Sequence, residues 1–541
     1  MRKLLFFAVA VLISGSLLAG GLVTNTNQSA MFTRLQNRNA STDIDAVYYN
    51  PAGLTKLGNG LFLSVNNQTI FQTRTITNNY PYLSPSPKEY KGTASAPIFP
   101  GLYAAYNAGK FSFSAGFNPI GGGGTATYDK GLPSFEMPIS DLVPLLNSEG
   151  IPTTAYSANI HFKGKSVYFG YQVNIAYKIN DMLSVAAGVR LVTAKNTYSG
   201  YLKDISINPV NPSIGFTGSM VHATDFFNTA ASALSTLAAG ATSYYAGLQP
   251  IIDGGGGSIP LSSGGDAGLT PEQIGQIQTI IGAAGLDPTD MTIAQAQTVM
   301  GAAAPEFANE AATSTAYAAE TQDINVDAEE TGTGFSPILS VNIAPSDKIN
   351  IAVKYEFKTK LELTTKVNNN EGGGIFIDGS KVIADMPALL GIGVDVKPFD
   401  KLKLSASFNT YFDQNVDYDG SEQINIDMTD RNFLEYGLGA EFALSEKFRI
   451  SAGWESTRTS VNDKYQSDME FDLNTNSFGG GIGYRITPMI DLNLGGQYTF
   501  YKDGSLEFNH LLGPTQIPVM EKYDKLTWLV AVGLDFHFGA K

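Results

Sequence analysis

The sequence predicts an all-β fold, a 14-stranded antiparallel transmembrane β-barrel with a partly helical extracellular insertion. Apolar and polar residues alternate with a two-residue period in fourteen segments, an export signal precedes these segments, and the connections between them are alternately short and long. The composition agrees, because 43% hydrophobic residues, 16% charged residues and a mean hydropathy of -0.04 are typical of strands with one apolar and one polar face.

Residues 1–21 are predicted to be a secretory signal peptide. Arg2 and Lys3 provide its basic start, an apolar run follows from Leu4 to Ile13, and small residues stand at 19–21. The apolar run is too short for a membrane anchor, and no later segment approaches the roughly 20 apolar residues that a transmembrane helix needs. Any membrane-spanning part of the mature chain is therefore predicted to consist of strands.

The last predicted strand shows the alternation clearly. Apolar side chains at every second position from Trp528 to Phe538 share one face, and the other face carries mostly small or polar residues. A helix would instead repeat its apolar stripe every three or four residues. The predicted strands are 61–74, 98–107, 110–118, 165–179, 182–203, 335–343, 348–366, 387–397, 401–417, 432–444, 447–460, 475–486, 489–508 and 523–538.

Tight turns and longer loops alternate between these strands, as in outer-membrane barrels that keep both termini on the periplasmic side. The sheet must close, because unpaired N–H and C=O groups are not tolerated in hydrocarbon. We therefore expect a monomer in contact with the lipid of the outer membrane of a Gram-negative (diderm) bacterium. A soluble β-sandwich is the alternative.

Small residues at inward positions leave room in the lumen, namely Gly391, Gly393, Gly437, Gly439, Gly479 and Gly481.

Two regions within the mature chain do not fit as strands. Residues 22–58 precede the first strand of the barrel, which we place at 59–541, and are too long for a simple tail. Residues 204–334 contain helix-like stretches at 225–238, 270–284 and 291–303, the second of which begins with an N-cap signal. We interpret this insertion as an elaborate extracellular loop, with a separate soluble domain as the alternative.

Charge and side-chain chemistry exclude several classes of function. The formal net charge of -15 makes nucleic acid an improbable partner. The absence of Cys excludes thiolate chemistry, and the four His residues fall in no metal-binding or nucleophile motif. The sequence therefore predicts no enzyme activity, no metal site and no cofactor.

The segment Asn39 to Leu54, read as NASTDIDAVYYNPAGL, resembles the N-terminal hatch of the FadL/TodX family of outer-membrane transporters for fatty acids and other hydrophobic compounds. The resemblance rests mainly on Asn50-Pro51-Ala52 and on the place of this triplet between the signal peptide and the first strand. It extends to DMPALLGIGV at 385–394 and AYKIND at 176–181. It implies that residues 22–58 plug the barrel as a hatch.

The resemblance further implies that a ligand is captured between outer loops, bound in the lumen and released sideways through a gap at a kink in the third strand. The candidate gate residues are Gly116, Asn118, Pro119, Gly121 and Gly122. Proline lacks the N–H needed for a ladder bond and glycine relaxes the backbone, so strand pairing should fail there. The alternative is an ordinary strand end that enters a loop.

In the hatch motif, Asn50 is expected to bind backbone groups, Pro51 to fix a turn, and Ala52 and Gly53 to allow close packing against the wall. A stable turn without further role is the alternative.

Three inward cations, Arg190, Lys354 and Arg485, are candidates for binding the head group of a ligand. The alternative is that they pair with neighbouring acids.

These observations predict a channel for hydrophobic small molecules, most directly long-chain fatty acids, with aromatic hydrocarbons as another ligand class. Two other functions stay open at this point. A general porin would need an open lumen, and an adhesin would act through the insertion at 204–334.

Overall fold

The computed structural model describes residues 24–371, 376–416 and 428–539. The predicted signal peptide lies outside the described residues. Within them, fourteen long strands are numbered here in chain order: β1 (Gly60–Asn78), β2 (Lys88–Ala108), β3 (Phe111–Tyr128), β4 (Tyr156–Lys178), β5 (Leu183–Ile207), β6 (Ile324–Ser346), β7 (Ile349–Glu356), β8 (Leu389–Phe399), β9 (Leu402–Tyr411), β10 (Phe433–Ala443), β11 (Phe448–Arg458), β12 (Thr475–Thr487), β13 (Ile490–Tyr501) and β14 (Thr515–Phe538).

The strands form one closed antiparallel sheet. Each pairs with the next along the chain, and β14 returns to β1, from Leu61 opposite Phe538 to Asn78 opposite Glu521. Trp528, Val530 and Val532 are exposed on the outer face of β14, as the alternation predicts. The predicted 14-stranded barrel is confirmed.

Two predicted strands are divided in the structure. The segment predicted as 348–366 leaves the barrel ladder after Glu356, and residues Glu362–Glu371 pair instead with the first part of β6 and with Lys381–Ile383. Buried positions fall on even numbers up to 356 and on odd numbers from 359, so the strand has slipped by one residue. Such a slip exchanges the two faces, which turns Lys360 and Glu362 outward.

The segment predicted as 489–508 is divided in the same way. β13 ends at Tyr501, and residues Gly504–Leu512 form a hairpin with the first part of β14, which begins at Thr515 instead of the predicted 523. β6 likewise begins at Ile324, so residues 324–334 belong to a strand and not to the predicted insertion.

The helices are α1 (Ala30–Leu35), α2 (Ala46–Tyr49), α3 (Pro133–Ser140), α4 (Leu142–Ser148), α5 (Ala223–Asp253), α6 (Pro271–Ala283) and α7 (Ile293–Glu320). Short 3-10 helices lie at Pro51–Lys56, Pro212–Ile214, Gly256–Ser258, Leu261–Ala267, Asp413–Asn415 and Asp463–Tyr465, and two-residue strands at Val210–Asn211, Phe216–Thr217 and Val221–His222. None of the helices in the described ranges is both long and apolar enough to cross a bilayer.

Residues 139–159 and 202–323 form a compact unit of their own, which contains α5, α6 and α7. The three predicted helical stretches all lie on these helices, and Thr270 caps α6 through a capping box with Gln273. The unit has its own apolar core, which includes Ala241, Leu248, Leu261, Ile277, Ile281, Ile293, Met300 and Phe307.

In the barrel unit, residues 24–58 pack against the inner face of the strands. Glycines of the four strands β8, β10, β11 and β12 form the seat for α1 and the residues after it, and a Cβ at these positions would lie within 3.0 Å of hatch atoms: Gly393, Gly437, Gly439, Gly453, Gly479 and Gly481. The hatch backbone therefore lies directly on the wall. The room that the inward glycines predict is filled by the chain's own N-terminal segment.

Replacing Gly453 by Ala is expected to displace the hatch, because the new methyl group would overlap the Leu35 carbonyl. Overpacking of this kind costs about 1–3 kcal/mol. We expect the Gly453→Ala variant to unfold at lower temperature and to show ion current in planar bilayers where the parent shows none. Gly496→Ala is the control, since nothing lies within 3.4 Å of its Cβ position. Equal conductance of the two variants would contradict this seat.

Candidate functional site

Buried ion pairs hold the hatch. Arg34 of α1 donates to Glu441 of β10, and also to Ser451 at 2.9 Å and Asn493 at 3.2 Å. Within the hatch, the Arg38 guanidinium pairs with Asp43 at 2.6 Å and Asp45 at 2.7 Å. Removing one partner of a buried pair typically costs about 3–5 kcal/mol, so these contacts resist wholesale removal of the hatch.

Asn50 of the Asn-Pro-Ala motif connects the hatch to the wall. Its Nδ2 donates to the Ser41 carbonyl at 2.9 Å and to Asn342 Oδ1 of β6 at 2.7 Å, and its Oδ1 accepts from Ser340 at 3.1 Å. Pro51 begins a 3-10 helix, and a Cβ at Gly53 would collide with the Asn50 side chain. The motif is therefore both a turn and an attachment point.

Changing Asn50 to Asp is expected to loosen this attachment, because a carboxylate oxygen would face two acceptors, Ser41 O and Asn342 Oδ1. An unsatisfied buried polar group costs about 1–3 kcal/mol. We expect faster proteolysis within residues 24–58 and a lower unfolding temperature for Asn50→Asp. Asn59→Asp is the matched control, since among the described residues the Asn59 side chain acts only as an acceptor, from Gly109 N–H. Unchanged proteolysis of the Asn50 variant would show that the motif does not anchor the hatch.

The wall has a gap between β2 and β3. Their pairing is regular from Ala108–Phe111 to Leu102–Phe117 and resumes only at Ser95–Thr125. Residues 96–101 of β2 and 118–124 of β3 are thus unpaired with each other, and we call this region the wall gap. Both edges contain proline, which has no N–H to donate: Pro97, Pro100 and Pro119.

The gate residues predicted from sequence occupy different places. Asn118 and Pro119 lie in the wall gap and keep their pairing with β4, while Gly122 adopts a left-handed φ of 94°. Gly121 pairs with Tyr168 of β4 and with Thr24 of the hatch. Gly116 lies in the regular ladder before the gap, opposite Tyr103.

Hatch residues 24–28 occupy the inner side of the wall gap. Asn25 N–H donates to the Ile120 carbonyl at 3.0 Å, and Gln28 Nε2 donates to the Pro119 carbonyl at 2.9 Å. Gln28 Oε1 accepts from Asn118 at 2.6 Å. The hatch therefore supplies hydrogen bonds that a continuous β2 would otherwise provide.

Gln28 and the β2 edge of the gap are not among the residues predicted from sequence. A glutamine outside any strand carries no pattern that separates it from other polar residues. Pro97 and Pro100 do carry a signal, since two prolines within a predicted strand mark a break in the ladder.

A small cavity of about 20 Å³ adjoins the gap from inside the barrel. The cavity is lined by apolar and hydroxyl-bearing side chains and by one ion pair. The lining residues are Thr24, Tyr48, Ile120, Arg190, Val192, Ser336, Glu356, Thr359, Met386, Pro387, Leu389 and Tyr411. Thr24 and Ile120 belong both to this lining and to the region of the wall gap. We call this space the central cavity.

Two of the three predicted head-group cations meet beside the central cavity. Arg190 binds Glu356 through two hydrogen bonds of 2.6 and 3.0 Å, and Lys354 Nζ donates to the same carboxylate at 2.6 Å. The Tyr48 ring lies 4.8 Å from the Arg190 guanidinium and 4.5 Å from Lys354 Nζ. Burial raises the pKa of Tyr48, so this ring stays neutral.

The cluster of Arg190, Lys354 and Glu356 carries one positive charge in excess. Within the described part of the chain, the hydrogen bonds of Arg190 use four of its five N–H donors, two on Glu356 and two on Gln172, which leaves one for a ligand. Arg485 lies apart from this cluster, in a two-bond pair with Asp491 near the short turns. In the described part of the chain, no group of three or more potential metal ligands occurs.

Comparisons with known proteins agree with this architecture. The family model of the outer membrane protein beta-barrel domain matches residues 296–486. The crystal structure of a Pseudomonas aeruginosa FadL homologue superposes with a TM-score of 0.56 at 13% identity, covering 96% of this chain and 100% of that one. No curated protein sequence matches significantly.

Two further solved structures cover nearly the whole chain but superpose less closely. They are the P. putida toluene transporter TodX, with 12% identity, a TM-score of 0.47 and coverage of 96% of this chain and 99% of that one, and the Ralstonia pickettii toluene transporter TbuX, with 14%, 0.45 and coverage of 96% and 99%. The P. aeruginosa structure confirms the predicted fold, a 14-stranded barrel with an N-terminal hatch, and the family match supports the predicted location in the outer membrane.

Proposed function

We propose that this outer-membrane barrel is a FadL/TodX-type transporter that carries hydrophobic small molecules, with long-chain fatty acids as the principal ligand class. The observation that supports this proposal is the central cavity beside a gap in the barrel wall, with hatch residues on the inner side of the gap. A general porin would need an unobstructed lumen, whereas here residues 24–58 lie inside the barrel.

Release through the wall gap suits an apolar ligand. Each buried CH₂ group is worth about 0.8 kcal/mol, and an acyl chain that left through an aqueous pore would lose this free energy. A sideways exit passes the chain from protein to membrane hydrocarbon. Exposed Ile98 lies on the β2 edge of the gap and would meet the lipid.

Only the first part of the hatch needs to move in this mechanism. Residues 24–28 contact the gap through hydrogen bonds of Asn25 and Gln28, and other parts of the wall through hydrogen bonds of Thr26, Asn27 and Gln28. The ion pairs of Arg34 and Arg38 and the contacts of Asn50 tie the rest of the hatch to itself and to the wall. We propose that a ligand head group lies at Arg190 and Lys354 while residues 24–28 withdraw from the gap. Arg485 is not part of this proposal, because it is paired with Asp491 and does not line the central cavity.

We further propose the following organisation: signal peptide at 1–21, hatch at 22–58 and barrel at 59–541, with the helical insertion on the outer side. The gate then comprises Asn118, Pro119, Gly121 and Gly122, with Gly116 in the regular ladder next to its last pair, Leu102–Phe117.

A disulfide between residues 24 and 121 tests the exit. Thr24 and Gly121 are partners in an isolated antiparallel bridge, whose Cα spacing suits a disulfide, and the chain has no Cys of its own. In cells that lack their own fatty-acid transporter, we expect oxidised Thr24→Cys/Gly121→Cys protein to take up ¹⁴C-oleate at least about tenfold more slowly, with recovery on reduction, because a fixed hatch end blocks release.

The control places the same cross-link in the regular part of the β2–β3 ladder. Tyr106 and Phe113 are direct partners on the lipid-facing side, and Tyr106→Cys/Phe113→Cys should transport equally well in both redox states. Full oleate uptake by quantitatively cross-linked Thr24→Cys/Gly121→Cys protein would exclude the wall gap as the route.

A further inference from the structure

A pair of buried carboxyl groups lies behind the central cavity. Glu435 of β10 and Glu455 of β11 are diagonal neighbours in the strand register, opposite Thr457 and Gly437, and their side chains are hydrogen-bonded to each other. Each is only 7% exposed. Two neighbouring buried carboxylates repel each other strongly when both are ionised, so we expect the carboxyl pair to share one proton and to carry one negative charge.

The carboxyl pair has no cation among its hydrogen-bond partners in the described part of the chain. Glu435 accepts from Asn409 Nδ2 at 2.6 Å and from Thr26 Oγ1 at 2.9 Å. Each oxygen of Glu435 therefore already accepts one hydrogen bond from a neutral group.

A chain of hydroxyl groups connects the carboxyl pair to the central cavity. Thr26 Oγ1, which donates to Glu435, is 2.8 Å from the Tyr411 hydroxyl, and Tyr411 lines the cavity. Hydroxyl groups both donate and accept, so such a chain can pass a proton in either direction.

The charges around the central cavity sum to zero. Arg190, Lys354 and Glu356 contribute one positive charge, and the carboxyl pair contributes one negative charge. Lys358 and Asp385, next to the lining residues Thr359 and Met386, form a neutral ion pair at 3.3 Å. Tyr48 and Tyr411 are uncharged. A carboxylate that entered this buried site would therefore add an uncompensated negative charge.

We propose that the central cavity holds a fatty-acid head group as the uncharged acid, with its proton exchanged with the Glu435–Glu455 pair through Thr26 and Tyr411. This inference rests on the proposed function. Loss of solvent favours the neutral form of a carboxyl group, and the neutral form is also the one that can pass into membrane hydrocarbon.

The proton balance of the step is simple. The carboxyl pair gives its proton to Thr26, Thr26 gives its own to Tyr411, and Tyr411 gives its own to the ligand carboxylate, so that one O–H bond forms for each one that breaks. The pair then regains a proton from a hydronium ion in the solvent. No electron is transferred. The net reaction joins one carboxylate and one hydronium ion to give one bound carboxylic acid and one water molecule.

The purified full-length protein in detergent tests this proposal with [1-¹³C]oleate and with oleyl alcohol, the uncharged analogue. At alkaline pH, calorimetry in buffers of different ionisation enthalpy should show uptake of about one proton per bound oleate and none per bound alcohol. The infrared spectrum of bound [1-¹³C]oleate should show the carbonyl band of the acid and not the carboxylate bands.

The Glu435→Gln/Glu455→Gln variant removes the negative charge of the pair, so oleate should bind as carboxylate without proton uptake. Asp535→Asn is the matched control, since Asp535 is also a buried inward carboxyl with neutral hydrogen-bond partners, Ser64 and Asn493, but does not line the central cavity. The control should keep the proton uptake of the parent.

The outcomes separate the two proposals. If bound oleate in the parent protein shows the carboxylate bands and no proton uptake, the uncharged-head-group proposal is overturned. The proposed transport function would not be affected by that result. Unaltered proton uptake in the Glu435→Gln/Glu455→Gln variant would exclude the carboxyl pair as the cause. Absence of saturable binding for both oleate and oleyl alcohol would instead refute the proposed function.

Discussion

The structure depends on the requirement that backbone N–H and C=O groups facing hydrocarbon be paired. Closure of β14 onto β1 meets this requirement around the barrel, and no strand edge is left along that seam. The wall gap between β2 and β3 is a departure from it, and there the hatch supplies replacement hydrogen bonds from Asn25 and Gln28. The same constraint that closes the barrel therefore fixes the position of its N-terminal segment.

Close approach between hatch and wall follows from the absence of side chains. Inward glycines such as Gly439 and Gly453 bring the strand backbone against the carbonyl of Leu35, and a methyl group at either site would overlap it. Bulky inward residues would have required a wider barrel or a smaller hatch. Ion pairs and the Asn50 contacts then hold the hatch in one orientation, since backbone contact with glycine alone is not directional.

Charge in the lumen is balanced locally. Arg190 and Lys354 share Glu356, and the excess positive charge is matched by the Glu435–Glu455 pair on the other side of Tyr48 and Tyr411. Burying an uncompensated charge away from water costs free energy, so the protonation state of a bound ligand depends on the charges of these groups. Arg190 and Lys354 both pair with Glu356, as one of the two interpretations of these cations predicts, and Arg190 also lines the central cavity, so that a ligand contact there stays a proposal.

The sequence by itself determined the fold class and the strand number, because alternation and turns are local patterns that each strand or turn carries in its own residues. The hatch was predicted from the resemblance of residues 39–54 to the FadL/TodX hatch. Tertiary structure alone decided the one-residue slip after Glu356, the position of Gln28 at the wall gap and the meeting of Glu435 with Thr26. These features join residues far apart in the chain, and their geometry depends on strand register and on the path of the hatch, which no local pattern specifies.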